Sequence, residues 1–236
     1  MRATAWNRTT YGGSIVTRST LPIAAALAAL AALLLTACGG GGSDSSDKIQ
    51  SSATSTPSVT ASPSAPSASP SLTDTVKRPS TELPKDLTMT FDWPKTGDVT
   101  KDAVLNDGEQ FVRAYTRAAA SHDRKDPAYR FYSRDDAFTY AQGQITENID
   151  EDLAPTGLDR YYAATVTVVR SGSATLSFCE DQTKNYSKKV KTGKVLVTTP
   201  SIKDYYQYNL LLFRNASNGV WQASKITVLE APKCKR

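Results

Sequence analysis

The chain contains 236 residues, and its 28 lysines and arginines against 23 aspartates and glutamates give a formal net charge of +5. Three of the arginines precede residue 38, so the remainder carries only +2 and offers no electrostatic case for nucleic-acid binding.

The first 37 residues carry the features of an export signal. Arg2, Arg8 and Arg18 supply positive charge, and no acidic residue occurs before Asp44. An apolar run rich in alanine and leucine follows over residues 21–37. A membrane-spanning helix needs about 20 apolar residues, whereas this run is shorter and is followed at once by glycine and serine. We therefore predict a signal peptide that is removed rather than a retained membrane helix.

The end of this run resembles the lipobox of bacterial lipoproteins. Leu35 stands three positions before the expected cut, Ala37 stands just before it, and Cys38 and Gly39 follow. The cysteine thiol takes a diacylglycerol through a thioether, and two acyl chains hold a protein stably in a membrane. The sequence thus predicts lipid attachment at Cys38 and a location on the extracytoplasmic face of the cell membrane. The alternative is an ordinary secreted protein whose signal ends near a cysteine.

A polar segment follows over residues 38–84, where serine, threonine, proline, alanine and glycine dominate. Such a segment buries too little apolar surface to offset the entropy of ordering it. We predict a disordered tether with a root-mean-square reach of roughly 40 Å. Its Ser/Thr/Pro content also suits mucin-like glycosylation, which composition alone does not decide.

Residues 85–236 have the size of one domain, and helical patterns open it. Apolar residues at helical spacing predict a first helix over 103–121, with Asp102 or Asp107 as its cap. A short second helix begins at Pro127 and runs to Tyr132. A third helix ends near residue 150.

Two features define that third helix. Ser133 and Asp136 have the spacing of a capping box at its start. Four apolar residues spaced by four place one face toward a core, and Pro155 with Gly157 marks the boundary beyond it; the four are Ala137, Ala141, Ile145 and Ile149.

From Arg160 the hydrophobic period changes to two, which predicts strands. Tight turns are expected at residues 171–172 and 218–219. The predicted strands cover residues 161–169, 174–181, 194–198, 204–214 and 220–229. Helices followed by strands indicate an α+β fold.

Cys179 and Cys234 remain once Cys38 is assigned to lipid. Outside the cytoplasm, an even pair is most simply a disulfide, and closing a loop of about 55 residues would contribute roughly 4 kcal/mol on the chain-entropy argument. The alternatives are a metal site or a reactive thiol. The absence of a CxxC motif and the single histidine, His122, speak against a metal, and the sequence predicts no cofactor.

Several short motifs together resemble one protein family. They are Cys179-Glu180-Asp181 at a strand end, Thr192-Gly193-Lys194 closing a loop, Gly219-Val220-Trp221 after a turn, and the last cysteine. Over residues 100–236 the chain resembles exported lipoproteins of high-GC Gram-positive bacteria with a nuclear transport factor 2-like cone. The resemblance implies helices packed on a strongly bent antiparallel sheet of the cystatin type. It also implies a cone mouth that holds a small molecule, lined or filled by Tyr140, Tyr205, Tyr208 and Trp221.

Some members of that superfamily, the SnoaL-like cyclases and related isomerases, perform acid–base chemistry in the cone. Such chemistry needs an Asp with a His or Tyr. We expect His122 to complement the end of the first helix, Asp136 to cap the third, and Asp181 to make a structural hydrogen bond. Asp135, Asp136 and Tyr140 form the alternative pocket set. No catalytic residue is therefore assigned.

Two charged clusters complete the pattern. The acidic run of Glu147, Asp150, Glu151 and Asp152 lacks the spacing of a calcium loop and indicates a solvated helix end. A lysine loop is either a charged hairpin tip or a contact for anionic lipid headgroups or wall polymers; its members are Lys184, Lys188, Lys189, Lys191 and Lys194.

Two functions follow from the sequence. The preferred one is a non-catalytic binding or interaction domain displayed on the membrane, contacting a small ligand, a wall component or another envelope protein. The alternative is a small cone-fold enzyme of the cyclase or isomerase type. A buried Asp beside a Tyr in an open pocket would favour the enzyme, and a mouth filled by aromatic side chains would favour the binder.

Overall fold

The computed structural model describes residues 76–236. The expected signal peptide, Cys38 and most of the expected tether lie outside the described residues. Among residues 76–236, no helix is both long enough and apolar enough to cross a membrane.

Residues 76–236 contain three α-helices in their first half: α1 (Val99–Ala120), α2 (Pro127–Tyr132) and α3 (Asp135–Asp150). Asp98 caps α1 by accepting hydrogen bonds from the backbone N–H groups of Thr100 and Lys101. The predicted caps were wrong. Asp102 lies inside the first turn, where it accepts from Thr96, and Asp107 is buried in the middle of the helix. Helix α1 therefore begins at Val99, before the apolar repeat from which its start was predicted. An N-cap residue acts through its side-chain hydrogen bonds and needs no apolar neighbour.

The predicted capping box of α3 is also wrong. Arg134 occupies the N-cap, and no side chain of residues 76–236 caps the first turn. Ser133 Oγ instead donates to the Tyr129 carbonyl, which closes α2. The apolar face of α3 is confirmed, since its first three predicted members are fully buried and Ile149 is partly buried against the core.

Within the described part of the chain the sheet has six strands: β1 (Leu87–Asp92), β2 (Leu153–Arg170), β3 (Ser173–Lys189), β4 (Val195–Leu196), β5 (Tyr205–Arg214) and β6 (Trp221–Glu230). Their order is β1-β2-β3-β5-β6, and β4 pairs with β3. The strand pairs are antiparallel except β1–β2, which is parallel. The sheet is therefore mixed. The wholly antiparallel expectation was wrong because β1, which the sequence pattern did not reveal, joins the edge.

Both long strands exceed their predicted lengths. Pro155 and Gly157, expected to mark a boundary, lie inside β2, and β3 continues eight residues past Asp181 to Lys189. Register shifts in β2 between Leu158 and Arg160, and again between Tyr162 and Thr165, curl the sheet. The α+β class with helices on a strongly bent sheet is confirmed.

The helices pack on the inner face of this curled sheet. The core contains Phe111 and Tyr115 of α1, Ile145 of α3, and Leu176 and Leu212 of the sheet, all buried. Gly108 brings α1 close to β3, because a Cβ at this position would lie 2.4 Å from Leu176 Cδ2. The result is a cone whose interior is formed by the inward residues of β2, β3 and β5.

The predicted disulfide is confirmed. Cys179 of β3 and Cys234 are bonded, with Cα atoms 5.6 Å apart and 55 residues between them along the chain. Cys234 belongs to a short 3₁₀ turn, Pro232–Cys234, and is buried. Arg236 then lies over the Tyr162 ring at 3.7 Å and pairs with Asp92. The disulfide and these contacts hold the C-terminus against the sheet.

Contacts with the domain begin before the boundary expected at residue 85. Val76 and Leu83 pack against the core, Arg78 pairs with Asp107 at 2.6 Å, and the Thr81 hydroxyl donates to Gln110. Composition placed this stretch in the tether. Its few apolar and charged side chains nevertheless find partners on α1, so residues 76–84 belong to the domain.

Candidate functional site

The inner face of β2 carries two polar residues into the cone. Asp159 and Tyr161 are two positions apart on a strand, so both side chains point to the same face. Tyr161 lies opposite Glu180 of β3 in the strand register. The exposed fractions are 2% for Asp159, 1% for Tyr161 and 0% for Glu180. Two carboxylates are thus placed in the interior beside one phenol; we call Asp159 and Glu180 the acid pair.

The hydroxyl of Tyr161 joins the acid pair. Tyr161 Oη donates to Glu180 Oε1 at 2.8 Å and lies 3.4 Å from Asp159 Oδ2. Asn185 Nδ2 donates to the same Asp159 oxygen at 2.5 Å. Buried carboxylates and hydroxyls need hydrogen bonds of this kind, because burying a charge without a partner costs much free energy of folding. The arrangement is a connected polar cluster inside an apolar fold.

Aromatic rings surround this cluster. Phe91 of β1 stacks on Tyr161 with ring centres 4.6 Å apart and an interplanar angle of 10°. Phe178 stacks on Tyr208 at 4.8 Å, and Trp93 lies 5.2 Å from Phe178. Rings exclude water and lower the local dielectric constant, which strengthens electrostatic interactions inside the cone.

Two amide groups beside the acid pair keep hydrogen-bonding capacity. Asn185 Oδ1 and Gln182 Nε2 are buried and bond to nothing in the described part of the chain. Their residues are only 8% and 9% exposed. Gln182 follows Glu180 by two positions on β3, so it shares the inward face. Buried polar atoms are rarely left without a partner, which makes both atoms candidate ligand contacts.

The predicted pocket residues are separated by the fold. Tyr208 is fully buried in the cone, and Tyr140 is buried with its ring edge-on to Tyr115 at 5.9 Å. Trp221 is buried at the start of β6, where its backbone N–H donates to Asp107 Oδ2 at 2.8 Å. The sequence prediction had put Tyr140, Tyr208 and Trp221 in one pocket, whereas the structure places them on α3, β5 and β6.

Tyr205 points to the other side of the sheet from Tyr206 and Tyr208. It lines a surface cavity of about 190 Å³ together with Thr183, Pro200, Ser201, Ile202 and Lys235. Burial, followed by the neighbouring Asp181 carboxylate, raises the pKa of the Tyr205 hydroxyl above its ordinary value of 10.0. The assignment of Tyr205 to the cone mouth is therefore corrected, because strand alternation separates it from Tyr208.

The lysine cluster covers the end of β3 and the connection from β3 to β4. Lys184, Lys188 and Lys189 lie on β3, and Lys191 and Lys194 lie in the turn that follows. Lys188 pairs with Asp86, and Lys189 Nζ donates to the Glu151 carbonyl at the end of α3. Two of the five charges therefore serve internal contacts. Lys188 to Lys194 form the closed end of the antiparallel β3–β4 hairpin, so the hairpin-tip interpretation holds for every member of the cluster except Lys184.

The acid–base candidates from the sequence lie apart from the acid pair. His122 Nε2 is 2.7 Å from the Leu153 carbonyl at the start of β2. Exposed Asp135 accepts from Ser224 Oγ at 2.7 Å, and this hydrogen bond lowers the pKa of its carboxyl. Asp136 is exposed on α3. Asp181 accepts from the Thr183 N–H and hydroxyl in the middle of β3, a structural role as predicted but not at a strand end.

Sequence reasoning missed Asp159, Tyr161, Glu180 and Asn185. Glu180 stood within the quoted Cys179-Glu180-Asp181 motif, where attention went to the following acid. The alternation of Leu176 and Phe178 with Glu180 was the available signal, since these three share the buried face. Within residues 76–236, no group of three or more His, Cys, Asp or Glu side chains is arranged to hold a metal ion.

No family model matches the chain, and no curated protein matches it. Solved structures with similar folds include a ketosteroid isomerase-like protein from Erwinia carotovora atroseptica. Its TM-score is 0.39 at 17% identity, covering 56% of this chain and 95% of that one. A putative scytalone dehydratase from Novosphingobium aromaticivorans has a TM-score of 0.35 at 11% identity, covering 54% and 86%.

A domain of unknown function with a cystatin-like fold, from Nostoc punctiforme, has a TM-score of 0.34 at 10% identity and covers 58% of this chain and 80% of that one. At such identities and TM-scores, none of these similarities assigns an activity to this chain. The site has to be interpreted from its own residues.

Proposed function

We propose that this chain is an extracytoplasmic lipoprotein, anchored by lipid on Cys38, whose cone binds a small organic molecule without converting it. The lipobox pattern supports the anchor. The disulfide is of the kind that persists in oxidising compartments, which supports a location outside the cytoplasm. We favour a small ligand over a wall polymer because two buried amide groups of β3, Asn185 Oδ1 and Gln182 Nε2, keep hydrogen-bonding capacity with respect to residues 76–236.

One observation carries the binding proposal: the Tyr161 hydroxyl lies between two fully buried carboxylates inside a ring-lined cone. Small-molecule sites are typically concave and apolar with a few placed polar groups that fix orientation. The Asp159–Tyr161–Glu180 cluster, with Asn185 beside it, has that composition. A domain stabilised by packing alone would gain little from burying two acids together.

A second candidate function has one specific observation in its favour. An acid with a hydrogen-bonded tyrosine is the pair that proton transfer would use, with Glu180 as base and Tyr161 as donor. We prefer binding because the hydrogen of Tyr161 is already donated to Glu180, which ties donor and base to each other rather than to a reacting group.

The anchor is tested by replacing Cys38 with alanine in the full chain. We expect the unaltered protein to stay in the membrane fraction after an alkaline wash and to incorporate a labelled fatty acid. Cys38→Ala should lose the label and leave the washed membrane. Recovery of the unaltered chain in the medium, unlabelled, would support the ordinary secreted alternative.

The cone is tested with the full chain purified in detergent from its own envelope. Denaturing extraction and mass spectrometry should release one small molecule in stoichiometric amount. Tyr161→Phe, which removes the cone hydroxyl, should lower its occupancy, and Tyr205→Phe, which removes an outer-face hydroxyl, should not.

Incubating the released molecule with fresh protein then separates the two functions. A binder returns the molecule unchanged, whereas formation of a product on repeated turnover would favour the enzyme. Equal occupancy in both tyrosine variants would place the ligand elsewhere and contradict the cone as its site.

A further inference from the structure

We propose that the outer face of the sheet carries a second binding site, a surface cavity that holds a small organic monocarboxylate with a short apolar body. It is the cavity lined by Tyr205, and its volume of about 190 Å³ has room for about six waters or one small molecule. Tyr205 and the cone residue Tyr208 face opposite sides of β5. The site is therefore separate from the cone, and the inference does not rest on the proposed function.

The polar groups that line this cavity are rich in hydrogen-bond donors. Lys235 supplies an ammonium group, and Tyr205 and Ser201 supply hydroxyls. No hydrogen bond within residues 76–236 uses the Lys235 ammonium or the Tyr205 hydroxyl. Ser201 Oγ accepts from the Lys203 N–H, which leaves its own hydrogen available to a ligand. Donors of this kind suit a ligand that presents acceptor oxygens, most of all an anionic one.

The charges around the cavity limit the ligand to one negative charge. Lys235 is the only charged residue among the six that line it. Burial, followed by the Asp181 and Asp204 carboxylates, raises the pKa of the Tyr205 hydroxyl, which therefore keeps its hydrogen at neutral pH. Asp181 already pairs with Arg160 at 3.5 Å, and Asp204 closes the capping box of the turn before β5. One ammonium balances a monoanion, whereas a dianion would also be repelled by these two carboxylates.

The cavity also offers apolar surface. Pro200 and Ile202 line it, and Ile202 is 46% exposed although its side chain is large and apolar. A ligand that covers this side chain removes apolar area from water, which favours binding. Small-molecule sites combine such surface with a few placed polar groups. A carboxylate on a short apolar body fits both parts of the lining.

The residues on both sides of Lys235 are fixed to the sheet. Cys234 is bonded to Cys179, and its carbonyl accepts a hydrogen bond from the Tyr162 hydroxyl. Arg236 lies over the Tyr162 ring at 3.7 Å. These contacts hold the backbone of Lys235 beside the cavity before any ligand arrives. A group that is already in place loses less freedom on binding, which raises affinity.

The test uses the full chain in a non-ionic detergent at pH 8 and four probes that share one benzene ring: benzoate, benzamide, benzylamine and phenyl phosphate. Ligand-observed NMR titration should show benzoate binding roughly 10-fold more tightly than its neutral isostere benzamide, because charge-assisted hydrogen bonds are about twice as strong as neutral ones. Benzylamine should bind more weakly than benzoate because its charge repels Lys235. Phenyl phosphate should also bind more weakly, since the cavity balances only one of its two charges.

Four variants locate the contact. Lys235→Gln should reduce benzoate affinity roughly 10-fold and leave benzamide affinity unchanged. Lys233→Gln is the matched control, because Lys233 is exposed in the same short turn and does not line the cavity. Ile202→Ser should weaken benzoate and benzamide together, and Tyr161→Phe in the cone should change neither. Thermal melting of each variant establishes that the fold persists.

Three outcomes would overturn the proposal. The first is equal affinity for benzoate and benzamide, or binding of no probe at all. The second is an equal loss of benzoate affinity in Lys233→Gln and Lys235→Gln, because the preference would then come from surface charge in general. The third is a loss in Tyr161→Phe, which would place the probes in the cone. Each of these results leaves the cone available as a binding site, so failure here is distinct from failure of the proposed function.

Discussion

Gly157 of β2 lies opposite Asn185 of β3, two residues before Asp159. Its φ of +98° is a conformation that residues with a side chain rarely adopt, and a Cβ placed there would lie 2.3 Å from the Lys184 carbonyl oxygen. Replacement by alanine therefore meets backbone strain and a backbone clash together. We expect Gly157→Ala to lower the free energy of unfolding by about 3 kcal/mol or more, since each of the two effects costs about 1–3 kcal/mol.

Gly143 provides the matched control. It lies in α3, and a Cβ there would meet nothing within 4 Å. Gly143→Ala should raise the free energy of unfolding by about 0.5–1 kcal/mol, because alanine loses less conformational entropy in a helix than glycine. The same chemical change is thus expected to have opposite signs at the two positions.

The assay is urea unfolding of the full chain in detergent at pH 7, followed by tryptophan fluorescence. Gly157 pairs with Asn185 in the strand register, so separation of β2 from β3 should also weaken ligand binding in the cone. A loss below about 1 kcal/mol in Gly157→Ala, or a loss in both variants, would refute the reasoning from close approach.

Three further predictions concern stability. Burial raises the pKa of the Asp107 carboxyl above its ordinary value of 3.8, although the Trp221 N–H and Arg78 act to lower it. Protonation of Asp107 therefore stabilises the fold. This contribution is fully present below pH 3.8 and is lost as the pH rises through the raised pKa. Asp107→Asn should remove that loss, and identical pH slopes of the urea midpoint between pH 3 and 7 would contradict this. Reducing the Cys179–Cys234 disulfide should lower the free energy of unfolding by about 4 kcal/mol, and reductant should have no further effect on a Cys179→Ser/Cys234→Ser variant. Asp126→Ala should lower the free energy of unfolding by about 3–5 kcal/mol, because fully buried Asp126 caps α2 and pairs with Arg117. Asp150→Ala, which breaks an exposed pair with Arg124, should change it by less than about 1 kcal/mol in the same urea titration.

The acid pair illustrates why the site was harder to predict than the fold. Asp159 lies two residues beyond Gly157, in a stretch that proline and glycine had marked as a boundary. Its inward direction depends on β2 continuing through that stretch to pair with β3. The register shifts of β2 then decide which residues face the cone, and no local pattern specifies them.

The sequence by itself determined the order of the three helices and of the strands that follow them, the apolar face of α3 and the expectation of a Cys179–Cys234 pair. Hydrophobic periodicity and cysteine count are local or compositional properties. Only the tertiary structure decided the parallel pairing of β1 with β2, which joins residues about 70 positions apart. It also decided the meeting of Asp159, Tyr161 and Glu180. Pairing between distant segments gains free energy only once the whole sheet has formed, so it leaves little trace in any short stretch of residues.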